Sequence, residues 1–214
     1  MNSVGKTAGT IKRTGEVCQF KITLDGLTPR VWRRIQVPDE YTFWDLHVAI
    51  QDSMGWCDCH LHMFRFRLKD EIVKIGIPIE DEEEDDIEAG WNVKLDEYFT
   101  ESGVRSIYEY DFGDSWQHEV LLEKLLKREA HVRYPRCIAG KRACPPEDCG
   151  GPGGYAELLA ILRNPKDPEY QERMEWMGGM VQLSGKMPFD ENNPGAVQFD
   201  NPRMRLNRAM RAPR

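Results

Sequence analysis

The chain has 214 residues, enough for one large domain or two small ones. Hydrophobic residues make up 40% and charged residues 30%, which suits a packed core under a soluble surface, and no apolar run approaches the roughly 20 residues that span a bilayer. A net charge of −7 argues against a surface that coats nucleic acid in general.

The first segment, MNSVGKTAGTIKRTGE, lacks the apolar centre of a signal peptide. A cytoplasmic protein is the expectation, and six cysteines in such a setting read as thiols or metal ligands rather than a disulfide framework. Residues 17–24 alternate, with Cys18, Phe20, Ile22 and Leu24 on one side and Gln19, Lys21 and Thr23 on the other, as in a half-buried strand. Gly26 and Pro29 break the chain, and Val31, Ile35 and Val37 mark a second strand closed by Pro38; the two read as a hairpin. Thr42 begins a helix, with Asp45 three residues on as a variant of the capping box. Phe43, Leu46, His47, Ile50 and Met54 share its inner face, and Gly55 ends it. After the loop WCDC, His60, His62, Phe64, Phe66 and Leu68 alternate along a further strand. The order strand, strand, helix, strand is compatible with a β-grasp-like N-terminal half.

Glu80–Glu88 holds eight carboxylates in nine residues and reads as a solvated connecting loop. Val93–Phe99 reads as a short helix. Ile107–Phe112 and Trp116–Leu122 alternate around Gly113-Asp114-Ser115, a second hairpin signal. A three-residue loop places Tyr108, Tyr110, Phe112, Trp116, His118, Val120 and Leu122 on one face, and Glu109, Asp111, Gln117 and Glu119 on the other. It also sets His118 opposite Tyr110, within reach of its hydroxyl, and sends Phe112 and Trp116 into one core with Phe64 or Phe66. Helices are predicted over Tyr155–Arg163, Glu169–Met177 (ended by Gly178-Gly179) and Asn201–Met210. The tail after Asp200 carries Arg203, Arg205, Arg208, Arg211 and Arg214 without an acid. It reads either as a frayed surface helix or as a contact for nucleic acid or an acidic protein. The resulting architecture is an α+β fold: a ββαβ half and a second β-hairpin share one sheet-containing core, followed by a helical C-terminal third. A single domain over 1–214 is expected, with its core at about 16–200 and flexible ends at 1–15 and 203–214.

Three constellations carry chemistry. Cys137, Cys144 and Cys149 are spaced C-x6-C-x4-C. Structural zinc prefers paired short spacings and four ligands, so a histidine (His131, His60, His62 or His118) would have to complete the site; otherwise the three are reduced thiols in one compact loop packed beside the hairpin. Cys57-Asp58-Cys59-His60-Leu61-His62 crowds ligands into six residues. His60 and His62 on one strand face would suit an imidazole-bound transition metal, or would be histidines satisfied by backbone and hydroxyl groups. Asp111, Asp114 and His118 invite general acid–base chemistry. However, Asp111 and His118 differ in strand parity, and a turn aspartate commonly bonds nearby backbone amides. PPEDCGGPGGY, with Glu147, Asp148 and four glycines, is neither a dinucleotide fingerprint nor a phosphate-binding loop, and the chain has no G-x-S-x-G or H-E-x-x-H motif.

VWRRIQVP, DLHVAIQDSMGW, HLHMF, YEYDFGDSWQHEV and CPPEDCGGPGGY, in that order, resemble the plasmid pRiA4b ORF-3-like domain family from about Phe20 to the C-terminal helices. The resemblance implies an α+β domain and an association with mobile DNA in some relatives, which include transposon passenger proteins. It brings no established catalytic residues. Two functions follow as expectations. The first is a non-enzymatic binding or accessory domain for a protein or nucleic acid, with Asp111, Asp114, Trp116, Glu147 and Asp148 as its motif cluster. The alternative is a metal-dependent hydrolase or nuclease-like enzyme holding a zinc-type ion through His60, His62 and His118 with Asp111 or Cys137.

Overall fold

A computed structural model describes residues 15–69, 71–78, 86–184 and 189–211. Most of the acidic run (80–85), the first 14 residues and Arg214 lie outside the described residues.

β1 (Glu16–Leu24) and β2 (Val31–Pro38) form the expected antiparallel hairpin, with Phe20 opposite Ile35. Cys18, Phe20, Ile22 and Leu24 enter the core as their alternation requires. α1 (Phe43–Met54) opens on the expected capping box. The Asp45 amide donates to Thr42 Oγ1 at 3.3 Å, and the Thr42 amide donates to Asp45 Oδ2 at 2.8 Å. Gly55 closes the helix at φ 89°, a conformation cheap only for glycine. The predicted inner face is buried, but so is almost every other residue of α1. The C-terminal segment covers its second side: Trp44 Nε1 donates to the Pro202 carbonyl at 3.0 Å, and the Asp200 amide donates to Asp52 Oδ2 at 2.8 Å.

β3 (His62–Leu68) begins two residues later than predicted, so His60 lies in the loop before it and does not share a strand face with His62. β4 (Glu71–Gly76) pairs antiparallel with β3, and the three-residue β5 (Ile87–Ala89) pairs parallel with β4. Neither was foreseen. β4 leaves Ile72 exposed at 56%, which blurs its alternation, and β5 is too short to have one. The predicted helix at Val93–Phe99 contracts to a single 3-10 turn, Leu95–Glu97, whose neighbour Phe99 plugs the core.

β6 (Arg105–Tyr110) and β7 (Trp116–Lys127) form the second hairpin with a longer loop than predicted. Asp111 and Ser115 both take positive φ (58° and 50°), and the turn opens to residues 111–115. Tyr110 then pairs with Trp116, and Tyr108 with His118. The register is displaced by two residues, an even number, so every strand side chain keeps its predicted face. Two expectations fail. Phe112 leaves the sheet for the loop and is 36% exposed, and His118 does not face Tyr110.

β8 (Arg136–Lys141) pairs with β2 and sets Cys137 opposite Ile35. Among the described residues the eight strands form one mixed sheet in the order β5-β4-β3-β6-β7-β1-β2-β8. β3 does not border β1, because β6 and β7 stand between them. The core between α1 and the sheet is aromatic: Phe43 lies 5.1–5.9 Å from Phe64, Phe66, Tyr98 and Phe99 between ring centres. Each such pair adds about 0.5–1.5 kcal/mol to the area buried.

α2 (Gly151–Leu162) starts four residues before the predicted helix, with Pro152 in its first turn, where no amide is missed. α3 (Tyr170–Ser184) runs through Gly178-Gly179 instead of stopping there, at about 1 kcal/mol per glycine. α4 (Pro202–Ala209) is capped by Asn201, whose side chain accepts from the Met204 amide. Among the described residues no helix is long and apolar enough to cross a membrane.

Candidate functional site at the loop end of the sheet

The loops 55–61, 111–115 and 142–150 meet at one end of the sheet, because His62, Tyr110 and Trp116 are adjacent strand ends. Glu147 ties them together. It is 4% exposed. Its Oε1 accepts from the Tyr110 hydroxyl at 2.5 Å and from Cys59 Sγ at 3.6 Å, and its Oε2 accepts from the Cys57 amide at 2.7 Å. The Tyr110 oxygen in turn accepts from the Cys59 amide at 3.0 Å. Burial and the neighbouring carboxylate push the Tyr110 hydroxyl far above its usual range, so it remains a donor. The same two causes raise the Cys59 thiol to about 11.

His60 stands outside this knot, 29% exposed, with Nε2 3.1 Å from Asp148 Oδ1 and 3.7 Å from Asp111 Oδ2. Asp111 Oδ1 accepts from the amides of Gly113 and Asp114 at 3.0 and 3.3 Å, the local bonding expected of a turn aspartate. Asp114 does something else: its Oδ2 accepts from the Gly150 amide at 3.1 Å, docking the start of α2 on the hairpin. Among the described residues two triads have ligand-type atoms within 4.8 Å of one another inside the triad, Cys59–His60–Glu147 and His60–Asp111–Asp148.

The predicted metal residues are therefore divided. His60 joins Asp111, Asp148, Cys59 and Glu147. His62 is buried and stacks flat on His47, 3.4 Å between ring centres; burial, then His47, holds it well below its usual range. His118 is buried beneath Tyr108 and Trp56, with Nδ1 3.1 Å from the Trp116 carbonyl, and burial lowers it to about 4. Trp116 is fully buried in the core beside Trp56. Cys137 sits on β8, its Sγ 3.5 Å from the Ala139 carbonyl, while Cys144 and Cys149 lie in the following loop against the core. Burial raises these thiols to about 11, 12 and 12. The guanidinium of Arg33, wholly buried, acts on both Cys137 and Cys144, and a fixed cation there disfavours a second one.

A second polar network runs inward. Arg205 of α4 contacts Asp52 at 2.8 Å, Asp58 at 3.6 Å and also Asp200. Asp58 Oδ1 lies 2.7 Å from His47 Nε2, and His47 Nδ1 lies 2.8 Å from the Tyr108 hydroxyl. With the proton on Nε2, His47 donates to Asp58 and accepts from Tyr108. The relay has the form of an acid–base chain; it ends on Tyr108, which is 0% exposed, and it links α1, α4 and β6. The sequence shows none of it, because residues 47, 58, 108 and 205 share no periodicity. Tyr110 was also missed as the partner of Glu147, for the same reason.

The opposite face of the sheet carries paired charges: Arg34 binds Glu123 through two bonds of 2.6 and 2.8 Å, Arg65 meets Glu109 at 2.9 Å, and Arg105 meets Glu119 at 3.2 Å. These arginines are neutralised where a phosphate-binding sheet would leave them available.

Comparison with known proteins places this architecture. The profile of the plasmid pRiA4b ORF-3-like protein family matches residues 16–195. The uncharacterised protein y4hQ of Sinorhizobium fredii is 35% identical over 178 residues, 83% of this chain and 89% of that protein. The crystal structure of MM3350 from Methanosarcina mazei Go1, a protein of unknown function, is 40% identical. It superposes with a TM-score of 0.72 over 86% of this chain and 98% of that one.

Proposed function

We propose that this chain, which belongs to the plasmid pRiA4b ORF-3-like family, is a non-enzymatic binding module whose contact surface is the loop end of the sheet, and whose partner is a protein. One observation carries the reading. Two large apolar side chains are exposed there, Phe112 at 36% and Leu61 at 41%, on two loops whose backbones are joined where the Asp111 amide donates to the Leu61 carbonyl at 2.9 Å. The glutamate–tyrosine knot beneath holds this surface rigid, which lowers the ordering cost of association. The carboxylates of Asp111, Asp114 and Asp148 around it repel phosphate, which disfavours nucleic acid. The family's description supports an association with plasmid-borne genes, and a protein contact is the form that fits the surface. A hydrolase built on His60, His62 and His118 finds no support here, since two of the three are buried apart from the first.

The test is capture of partners from a lysate by wild-type protein and by the double variant Leu61→Ser, Phe112→Ser, together with a nucleic-acid screen at low salt. Loss of a specific protein partner in the variant, at unchanged thermal stability, supports the reading. Equal capture by both proteins, or nucleic-acid binding that falls steeply with added salt, overturns it.

A further inference from the structure

We infer that His60 Nε2, Asp111 Oδ2 and Asp148 Oδ1 form a seat for one divalent first-row transition-metal ion of the zinc or manganese kind. The inference rests on reading the loop end as the binding surface and names a ligand for it. Around an ion with bonds of about 2.1 Å, neighbouring ligand atoms stand about 3.0–3.4 Å apart. The nitrogen and its two carboxylate oxygens already stand 3.1 and 3.7 Å apart, so only small rotations are required. His60 Nε2 is buried from solvent and lacks a hydrogen-bonding partner of proper geometry, although a carboxylate oxygen is 3.1 Å away. A nitrogen directed between two carboxylates is the arrangement that a shared cation satisfies.

The seat is supported from behind. The amides of Gly113 and Asp114 occupy Asp111 Oδ1 and leave Oδ2 facing His60. The His60 ring stands edge-on to Tyr110, 5.6 Å between centres, and Glu147 fixes Tyr110. Such outer contacts orient ligands. The imidazole selects a transition metal over magnesium or calcium, which prefer oxygen throughout. The rival triad with Cys59 and Glu147 is already spent, since both Glu147 oxygens accept hydrogen bonds, one of them from the Cys59 sulfur. Three protein ligands leave coordination positions open, and Asp148, 56% exposed, stands at their mouth. The ligands come from three loops, so the ion would clasp the loops that carry Leu61 and Phe112.

Untagged protein stripped with a chelator and dialysed against Zn2+ or Mn2+ should retain about one ion per chain, and its thermal midpoint should rise with added metal. Asp111→Asn and Asp148→Asn keep a residue that tolerates the positive φ at both positions. Each should weaken binding by about tenfold or more, while Cys59→Ser leaves it unchanged and the Co2+-loaded protein shows no thiolate charge-transfer band. Failure of wild-type protein to retain either ion, or binding indifferent to both asparagine variants, overturns the seat. Loss of binding in Cys59→Ser, with a thiolate band in the cobalt protein, overturns it in favour of the rival triad. Partner capture repeated with metal-free protein separates the two readings: capture that persists without any metal binding sinks the ion alone, and an intact ion with no capture sinks the partner alone.

Discussion

Glu147→Gln should destabilise the protein by about 2–4 kcal/mol, although it changes neither volume nor shape. The wild-type carboxylate only accepts. It receives the Tyr110 hydroxyl at one oxygen and the Cys57 amide at the other. A glutamine must put N–H donors at one of those places. Facing Cys57, it opposes donor to donor and takes the acceptor from that amide. Facing Tyr110, it forces the hydroxyl to accept, and that oxygen already accepts from the Cys59 amide, so the hydroxyl proton loses its partner. Either way one donor loses its acceptor, at about 1–3 kcal/mol, and the charge assistance of the remaining bond, about 1 kcal/mol, is lost. Tyr110→Phe strands the Cys59 amide and should cost about 1.5–3 kcal/mol. The double variant should fall short of the sum by about 1 kcal/mol, because the two changes delete one shared bond. Urea unfolding of the four proteins at neutral pH measures this as midpoint shifts at constant slope. A Glu147→Gln midpoint equal to wild type, or strict additivity, would refute the view that this glutamate holds the loop end together.

Trp116→Ala should cost about 3–5 kcal/mol, whereas Phe112→Ala, in the exposed loop, should stay within about 1 kcal/mol; equal midpoint shifts would contradict the observed turn. For pH, His118 titrates near 4 in the folded protein and His62 well below its usual range, against about 6.5 unfolded. The unfolded chain thus binds more protons between those values, so stability is complete above about pH 6.5 and drains away as pH falls toward 4, by up to about 1.4 kcal/mol per unit for each histidine. A urea midpoint unchanged from pH 7.5 to pH 5 would refute it. Arg205→Met leaves the carboxylate of Asp52, 1% exposed, without its cation and should cost about 3–5 kcal/mol, with α4 becoming open to proteolysis; a resistant C-terminus would show that the helix is held otherwise. Gly151→Ala would drive a Cβ to within 2.4 Å of the Asp114 carbonyl at φ 67°, and a clear loss of thermal stability is expected.

Local rules were enough for the elements whose causes are local. The alternation of Cys18 to Leu24, the Thr42–Asp45 box, the Gly55 stop and the inward face of Tyr108, Tyr110, Trp116 and His118 were legible in the sequence because side-chain period and capping act over a few residues. The family was legible too, since five ordered blocks carry it. Tertiary structure decided what depends on contacts across the chain. The hairpin loop lengthened because Asp111 adopted a positive φ and placed its carboxylate against two amides and beside His60, and that moved Phe112 from core to surface. His60 and His62, two residues apart, parted company because the strand starts at the second of them, which packs on His47 while the first meets Asp111 and Asp148 from distant loops. Glu147 looked like one acid among several in a proline-rich loop. Folding buried it against Tyr110, 37 residues away, where an unpaired carboxylate would be prohibitive and a hydrogen-bonded one becomes a fastener.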